Sequence, residues 1–156
     1  MSLEEEVVKA LLDKGYEITT AESCTGGMIA SALINVAGIS EIYKEGYITY
    51  SNEAKHKLLS VDKEALEKYG AVSEIVASQM ARGAARAAGA KAALAVTGIA
   101  GPGGGTEEKP VGLVYIGCYL NGKVTVIENR FKGTRLAVRQ ETTKRALELL
   151  LECLNE

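Results

Sequence analysis

Apolar spacing in this chain switches repeatedly between the helical and the extended period, which predicts an α/β fold: a mixed sheet of about five strands with helices on both faces. Three observations carry that prediction. Strand-like runs at residues 16–20 and 92–96 alternate with segments whose apolar positions recur every three to four residues. Late in the chain, two β-rich runs at 111–120 and 123–131 flank Asn121-Gly122, the dipeptide preferred in a two-residue type I′ turn, so at least one strand pair is antiparallel. The chain has 156 residues, 47% of them hydrophobic and 24% charged, which suits one domain spanning 1–156. A chain of that length buries about two-thirds of its unfolded surface and needs no covalent staple.

Each element follows from local chemistry. Ser2 with Glu5 forms a capping box, Val7, Val8, Leu11 and Leu12 supply a helical face, and Gly15 ends the helix. Residues 16–20 then read as a strand rich in β-branched side chains. After the Gly26-Gly27 pair, residues 28–36 return to helical spacing and stop at Gly38. Residues 42–50 alternate well enough to predict a second strand. Ser51 and Asp62 cap short helices to about Leu59 and Tyr69, and Ser73 opens a longer one to about Ala88. The Gly83, Ala84, Ala85, Ala87 and Ala88 of that helix predict close packing on the sheet. Residues 92–96 are small and apolar, as in a buried central strand. Thr134 caps a long last helix, with Leu136, Leu147, Leu150, Leu151 and Leu154 placed near one face.

Composition excludes several function classes. Lys plus Arg number 18 against 20 Asp plus Glu, a net charge of -2, and no basic run is present, so phosphate-backbone binding to nucleic acid is not expected. Two aspartates, Asp13 and Asp62, cannot build an EF-hand loop. The single histidine, His56, and three widely spaced cysteines, Cys24, Cys118 and Cys153, lack the C-x-x-C pairing of a zinc site, so no metal site is expected. The cysteines read as reduced thiols of a cytoplasmic protein. The acidic N-terminus does not resemble a signal peptide, and no segment approaches the ~18 apolar residues of a membrane span. The expectation is a soluble chain with no membrane partner.

Three loops carry potential chemistry. In the first, at residues 20–27, Ser23 stands where a strand feeds a helix, with the backbone N–H groups of Cys24, Thr25 and Gly26 beside it. Such donors suit an anion or a developing oxyanion. Ser23 is equally well placed to be a plain N-cap. Cys24 reads as a small buried hydrophobe, although a helix N-terminus can activate a thiol. The second loop, at 47–57, contains Tyr50, Lys55 and Lys57, with the lysines near a helix start, the unfavourable end for a cation. His56 reads as a surface residue. The third, at 96–110, has five glycines in eight positions, Gly98, Gly101, Gly103, Gly104 and Gly105. It permits close backbone approach to a ligand, particularly a phosphate, and is otherwise a long turn before the hairpin. No Gly-Lys-Ser/Thr follows, so it is not a Walker A loop. The Walker-like spacing of Gly117, Gly122 and Lys123 falls on the hairpin and lacks the hydroxyl residue. The residues alone indicate an α/β domain with a site for a small phosphate-bearing ligand.

The chain resembles the CinA C-terminal domain family, the nicotinamide mononucleotide amidohydrolases. The likeness rests on Ala21-Glu22-Ser23-Cys24-Thr25-Gly26-Gly27, then Thr49-Tyr50-Ser51-Asn52-Glu53-Ala54-Lys55 and Gly70-Ala71-Val72-Ser73. It continues in the 97–105 glycine segment, in Glu108-Lys109-Pro110-Val111-Gly112 and in Phe131-x-Gly133-x-Arg135. The resemblance implies a three-layer α/β/α sandwich and hydrolysis of nicotinamide mononucleotide to nicotinic acid mononucleotide and ammonia. It implies no cofactor, a pyridine nucleotide as small-molecule substrate, and a homodimer or higher homo-oligomer. Longer family proteins carry a preceding nucleotide-pyrophosphatase-type domain whose metal chemistry does not transfer.

Residue by residue, the resemblance makes Ser23 the nucleophile, Lys55 its base and Tyr50 a positioning group for lysine or substrate. Cys24, Thr25 and Gly26 would supply the oxyanion donors. Thr97 would lie near the reacting amide. The glycines Gly98, Gly101, Gly103, Gly104 and Gly105 with Thr106 and Lys109 would cradle the nucleotide, and Arg135 would meet its phosphate. A lysine of ordinary pKa is only ~0.1% neutral near pH 7.4, so a resting-state base needs a downward shift of about three units. Burial, the helix N-terminus and Lys57 all push in that direction. The dyad therefore requires Lys55 to be buried and aimed at Ser23. Competing readings are a nucleotide-binding sensor without chemistry and an amidase for another pyridine carboxamide.

Overall fold

The computed structural model describes residues 1–156. Helices α1 (Leu3–Lys14), α2 (Met28–Ile34), α3 (Asn52–Leu59), α4 (Lys63–Tyr69), α5 (Glu74–Ala88) and α6 (Arg135–Leu154) surround one sheet. Its strands are β1 (Ile18–Glu22), β2 (Tyr47–Ile48), β3 (Ala92–Gly98), β4 (Leu113–Leu120) and β5 (Lys123–Arg130), in the order β2-β1-β3-β4-β5. β1 pairs in parallel with β2 and β3, whereas the β3–β4 and β4–β5 pairs are antiparallel. The sheet is mixed and five-stranded, as the sequence predicts.

The alternation of β3 divides the core. Ala92, Leu94 and Val96 face one apolar cluster, with Val7, Leu11, Ile29, Val138 and Leu150 from α1, α2 and α6. Ala93 and Ala95 face the other, with Leu59, Leu66, Met80 and Ala84 from α3, α4 and α5. The result is three layers, helix on sheet on helix. The small face of β3 matches the close approach of α5. A Cβ on Gly83 would stand 1.8 Å from the Leu59 carbonyl oxygen, and one on Gly117 2.9 Å from that of Ala77. Gly83 thus admits the backbone at the end of α3 rather than the sheet.

Caps fall where the sequence places them. Ser2, Ser51, Asp62, Ser73 and Thr134 each accept a backbone N–H of their helix's first turn. Asn121 and Gly122 both take positive φ, as a type I′ turn requires.

Three expectations are corrected. β1 starts and ends two residues later than 16–20, carrying Glu22 into the sheet. The expected strand at 42–50 is reduced to Tyr47–Ile48. Ile39–Glu41 forms a 3-10 turn, Ile42 packs into the core, and the Tyr43 hydroxyl hydrogen-bonds Thr20 Oγ1 at 2.7 Å. Ile39 and Ile42 are buried at the sheet's edge without a ladder; one backbone bond, from Ile18 N–H to the Ile42 carbonyl at 2.9 Å, ties the segment to β1. Leu136 is 52% exposed, and Val138 takes the core position instead.

Candidate active site

The C-terminal ends of β1, β2 and β3 lie side by side, and the chain leaves β1 toward β2 by α2 on one face and returns to β3 by α3–α5 on the other. Open α/β sheets bind ligands at such a switch point. Here a cleft of about 280 Å³ is lined by Ser23, Cys24, Tyr50, Lys55, Thr97, Gly98, Gly101, Gly103, Gly104 and Arg135. Asn52, Ala71, Val72, Ile99 and Ala100 complete it. Three loops far apart in sequence thus meet at one place. A larger groove, about 590 Å³ between α1, α2 and α6, contains no nucleophile–base pair.

Lys55 is 1% exposed and is the largest fully buried side chain. Its Nζ donates to Ser23 Oγ at 3.1 Å and to the Thr49 carbonyl at 2.8 Å. Burial pulls its pKa down to about 8. The only opposing influence is Cys24, which is uncharged in that range because burial pushes its thiol up to about 11. Lys57, which the sequence suggests as a contributor, is exposed and takes no part. With a pKa of about 8, roughly 20% of the lysine is neutral at pH 7.4, against ~0.1% for a free one. The Thr49 hydroxyl beside this contact is fully buried and has no hydrogen-bond partner.

Ser23 does not cap α2. The helix begins at Met28 behind Gly26 and Gly27, both at positive φ, and its free N–H groups are taken by Glu22. The Glu22 carboxylate, 1% exposed, accepts from the Ile29 and Ala30 N–H groups at 2.9 and 3.0 Å and from Thr25 Oγ1 at 2.6 Å. A negative group therefore already occupies the helix N-terminus. Of the three expected oxyanion donors, Gly26 N–H is bonded to the Ser23 carbonyl at 3.0 Å, while Cys24 and Thr25 N–H find no acceptor within the chain. Arg139 on α6 closes the turn from the other side: its Nε donates to the Cys24 carbonyl at 2.9 Å and its Nη2 to that of Thr25 at 3.1 Å.

The remaining expected residues divide. Thr97 is buried and donates to the Ala71 carbonyl at 2.9 Å, tying that segment to β3. Arg135 donates to the Gly101 carbonyl at 2.7 Å and to the Tyr50 hydroxyl at 2.9 Å, bridging two loops across the cleft mouth. Tyr50 is 62% exposed and contacts Arg135 rather than Lys55. Gly105, Thr106 and Lys109 stand outside the cleft. A Cβ on Gly105 would lie 2.7 Å from Val111 N, and Thr106 Oγ1 accepts the Lys109 N–H at 2.9 Å. The Lys109 ammonium donates to the Tyr69 carbonyl, anchoring the loop to the end of α4. His56 is exposed, with Nδ1 on the Val61 carbonyl. No helix is long and apolar enough to cross a membrane.

Sequence reasoning missed Glu22, Arg139 and Thr49. For Glu22 a signal existed, since an acid just ahead of a helix is a capping residue. For Arg139, more than a hundred residues from the turn it holds, local pattern offered none.

Comparison with known proteins gives the family and the fold. Residues 1–154 match the family described as the CinA C-terminal domain. A CinA-like protein of Kosmotoga olearia is 54% identical over 153 residues, which cover 98% of this chain and 37% of that protein. A protein of Clostridium beijerinckii named as competence-damage inducible is 55% identical over 150 residues, 96% of this chain and 37% of its own length. The chain thus spans little more than a third of these relatives. Among solved structures, the competence/damage inducible protein of Agrobacterium tumefaciens superposes with a TM-score of 0.92 at 45% identity, covering 100% of both chains. A CinA superfamily protein of Klebsiella pneumoniae gives 0.94 at 38% identity, covering 98% of this chain and 96% of that one.

Proposed function

We propose, for a chain that belongs to the CinA C-terminal domain family, that it hydrolyses the carboxamide of nicotinamide mononucleotide through a Ser23–Lys55 dyad. The observation that carries this reading is the 3.1 Å contact between a half-buried serine hydroxyl and a fully buried lysine. Neutral Lys55 accepts the hydroxyl proton as Ser23 Oγ attacks the carboxamide carbon, a Ser-Lys variant of triad chemistry. The Thr49 carbonyl holds the amine in place through one of its remaining protons. The N–H groups of Cys24 and Thr25, left without acceptors, suit the negative oxygen of the tetrahedral adduct. Lysine, now charged, returns the proton to the leaving nitrogen; ammonia departs, and water then hydrolyses the acyl ester with the lysine again as base.

Arg135 uses two of its five N–H donors on Gly101 and Tyr50, which leaves others for a phosphate at the cleft mouth. Gly103 and Gly104 border the same mouth with open backbone. The reading assigns no cofactor and no nucleic-acid partner. It includes self-association as a homodimer or higher homo-oligomer.

Ammonia release from nicotinamide mononucleotide by the purified protein, with product identification, tests the reading. Nicotinic acid mononucleotide formation that is lost in both Ser23→Ala and Lys55→Ala is the expected result. Binding without ammonia release would leave a nucleotide sensor. Release from a different pyridine carboxamide alone would keep the chemistry and replace the substrate.

A further inference from the structure

The turn that carries Ser23 is held by two charged side chains acting on opposite kinds of backbone group. Glu22 takes N–H groups of α2, whereas Arg139 takes two successive carbonyls, those of Cys24 and Thr25. In a planar trans peptide the C=O and the following N–H point in opposite directions. Drawing the Cys24 carbonyl toward α6 therefore turns Thr25 N–H away from it. Drawing the Thr25 carbonyl the same way turns Gly26 N–H away, and that group meets the Ser23 carbonyl at 3.0 Å. The turn closes on itself, and the Cys24 and Thr25 N–H groups are left as its unpaired donors.

We propose that Arg139 is a positioning residue for catalysis: its guanidinium fixes the Cys24–Thr25 and Thr25–Gly26 peptide planes, and so sets the direction of the Thr25 N–H, one of the two groups that receive the oxyanion formed at Ser23, while holding Gly26 N–H on the Ser23 carbonyl. The inference rests on the reading of Ser23 as nucleophile. A fork of donors is needed, because two carbonyls on consecutive residues are engaged from two guanidinium nitrogens, and an ammonium cannot reproduce that arrangement. Arg139 lies one helical turn beyond Arg135, so the first two turns of α6 serve both the cleft mouth and the nucleophile turn.

The test compares wild type, Arg139→Met and Arg139→Lys in three measurements: thermal midpoint, kcat and KM with nicotinamide mononucleotide, and the rate of Ser23 phosphonylation by an alkyl phosphonofluoridate. In the labelling step the Ser23 Oγ–P bond forms, the P–F bond breaks, fluoride leaves and the hydroxyl proton passes to Lys55. The phosphoryl oxygen uses the same N–H groups as a carboxamide oxyanion. Loss of aim at one donor should lower kcat and labelling together by roughly 10–100-fold in Arg139→Met, below the full cost of deleting a donor, with KM within about 2-fold. Arg139→Lys should keep the wild-type midpoint and recover only part of both rates. Wild-type kcat and labelling in folded Arg139→Met, or full recovery in Arg139→Lys, would overturn the proposal. Should Arg139→Met unfold, the lysine variant decides alone. A wild type that ignores nicotinamide mononucleotide but labels at Ser23 in an Arg139-dependent way refutes the substrate and supports the positioning role. A wild type whose Ser23 cannot be labelled refutes both.

Discussion

Lys55 Nζ and Ser23 Oγ lie 3.1 Å apart, joined across 32 positions of sequence by the parallel pairing of β1 and β2. β1 ends one residue before Ser23. β2 ends at Ile48, and the next residue, Thr49, supplies the carbonyl that holds the lysine. The two-residue strand is enough because the Thr49 N–H continues the ladder onto the Glu22 carbonyl at 2.8 Å.

The pH dependence of activity should report this lysine. With its pKa lowered to about 8 by burial, kcat/KM should rise through pH 8 and level off above it. Stability should follow the same group in a defined sense. The folded state disfavours the charged form, so the unfolded chain binds more protons between pH 8 and about 10.5, and stability rises with pH across that window. Below pH 8 the cost of burying the ammonium is fully present. Lys55→Met should therefore raise Tm at pH 7, and its advantage should shrink toward pH 10. An advantage that is constant with pH would show that Lys55 is not buried as a titrating amine.

Glu22 should matter more for stability than its place in a strand suggests. Its carboxylate satisfies Ile29 N–H, Ala30 N–H and Thr25 Oγ1 in a site closed to water. In Glu22→Gln one of these backbone donors faces an amide NH2 instead of an oxygen. An unsatisfied partner of a charged hydrogen bond costs about 2–3 kcal/mol, and for a domain of this size that is a fall of roughly 5–10 °C in Tm. Differential scanning calorimetry checks it. A change below 1 °C would mean that α2 does not depend on this cap.

These two residues mark the boundary of what the sequence discloses. Caps, the Asn121-Gly122 turn and the alternation of β3 are local patterns, and each is legible because its partners lie within a few positions. Ser23 and Lys55 are nameable through the family motifs, while their contact depends on pairing between strands too short and irregular to be read from 42–50. Arg139 is invisible for the same physical reason: its acceptors are backbone carbonyls, which leave no trace in side-chain identity. Thr106 and Lys109 show the converse. They look like ligand-binding chemistry beside a glycine cluster, yet Thr106 Oγ1 accepts the Lys109 N–H within the loop and the Lys109 ammonium fastens that loop to the end of α4.

The glycines of the 98–105 loop should separate by role. A Cβ on Gly101 would meet Val111 Cγ1 at 2.4 Å in a positive-φ conformation, so Gly101→Ala should destabilise the protein by about 1–3 kcal/mol, the range for overpacking. Nothing lies within 4 Å of the same atom on Gly103, which borders the cleft. Gly103→Ala should leave Tm within about 1 °C of wild type while raising KM for a nucleotide that needs the backbone there. Unchanged KM would remove Gly103 from the binding surface.

The cysteines should react in an order opposite to their nearness to the cleft. Cys24 lines it, but burial raises its thiol to about 11, so at pH 8 it is almost wholly protonated and a poor nucleophile. Cys153, buried near the end of α6, is pulled below the usual thiol range chiefly by the neighbouring Cys118 thiol, whose own pKa is raised in turn. Iodoacetamide at pH 8, followed by peptide mass spectrometry, should modify Cys153 first and Cys24 slowly. On the proposed mechanism Cys24→Ala should retain most of the activity, since that mechanism uses the Cys24 N–H and not its sulfur. Rapid alkylation of Cys24 with parallel loss of activity would instead make it a competitor to Ser23 for the nucleophile's role.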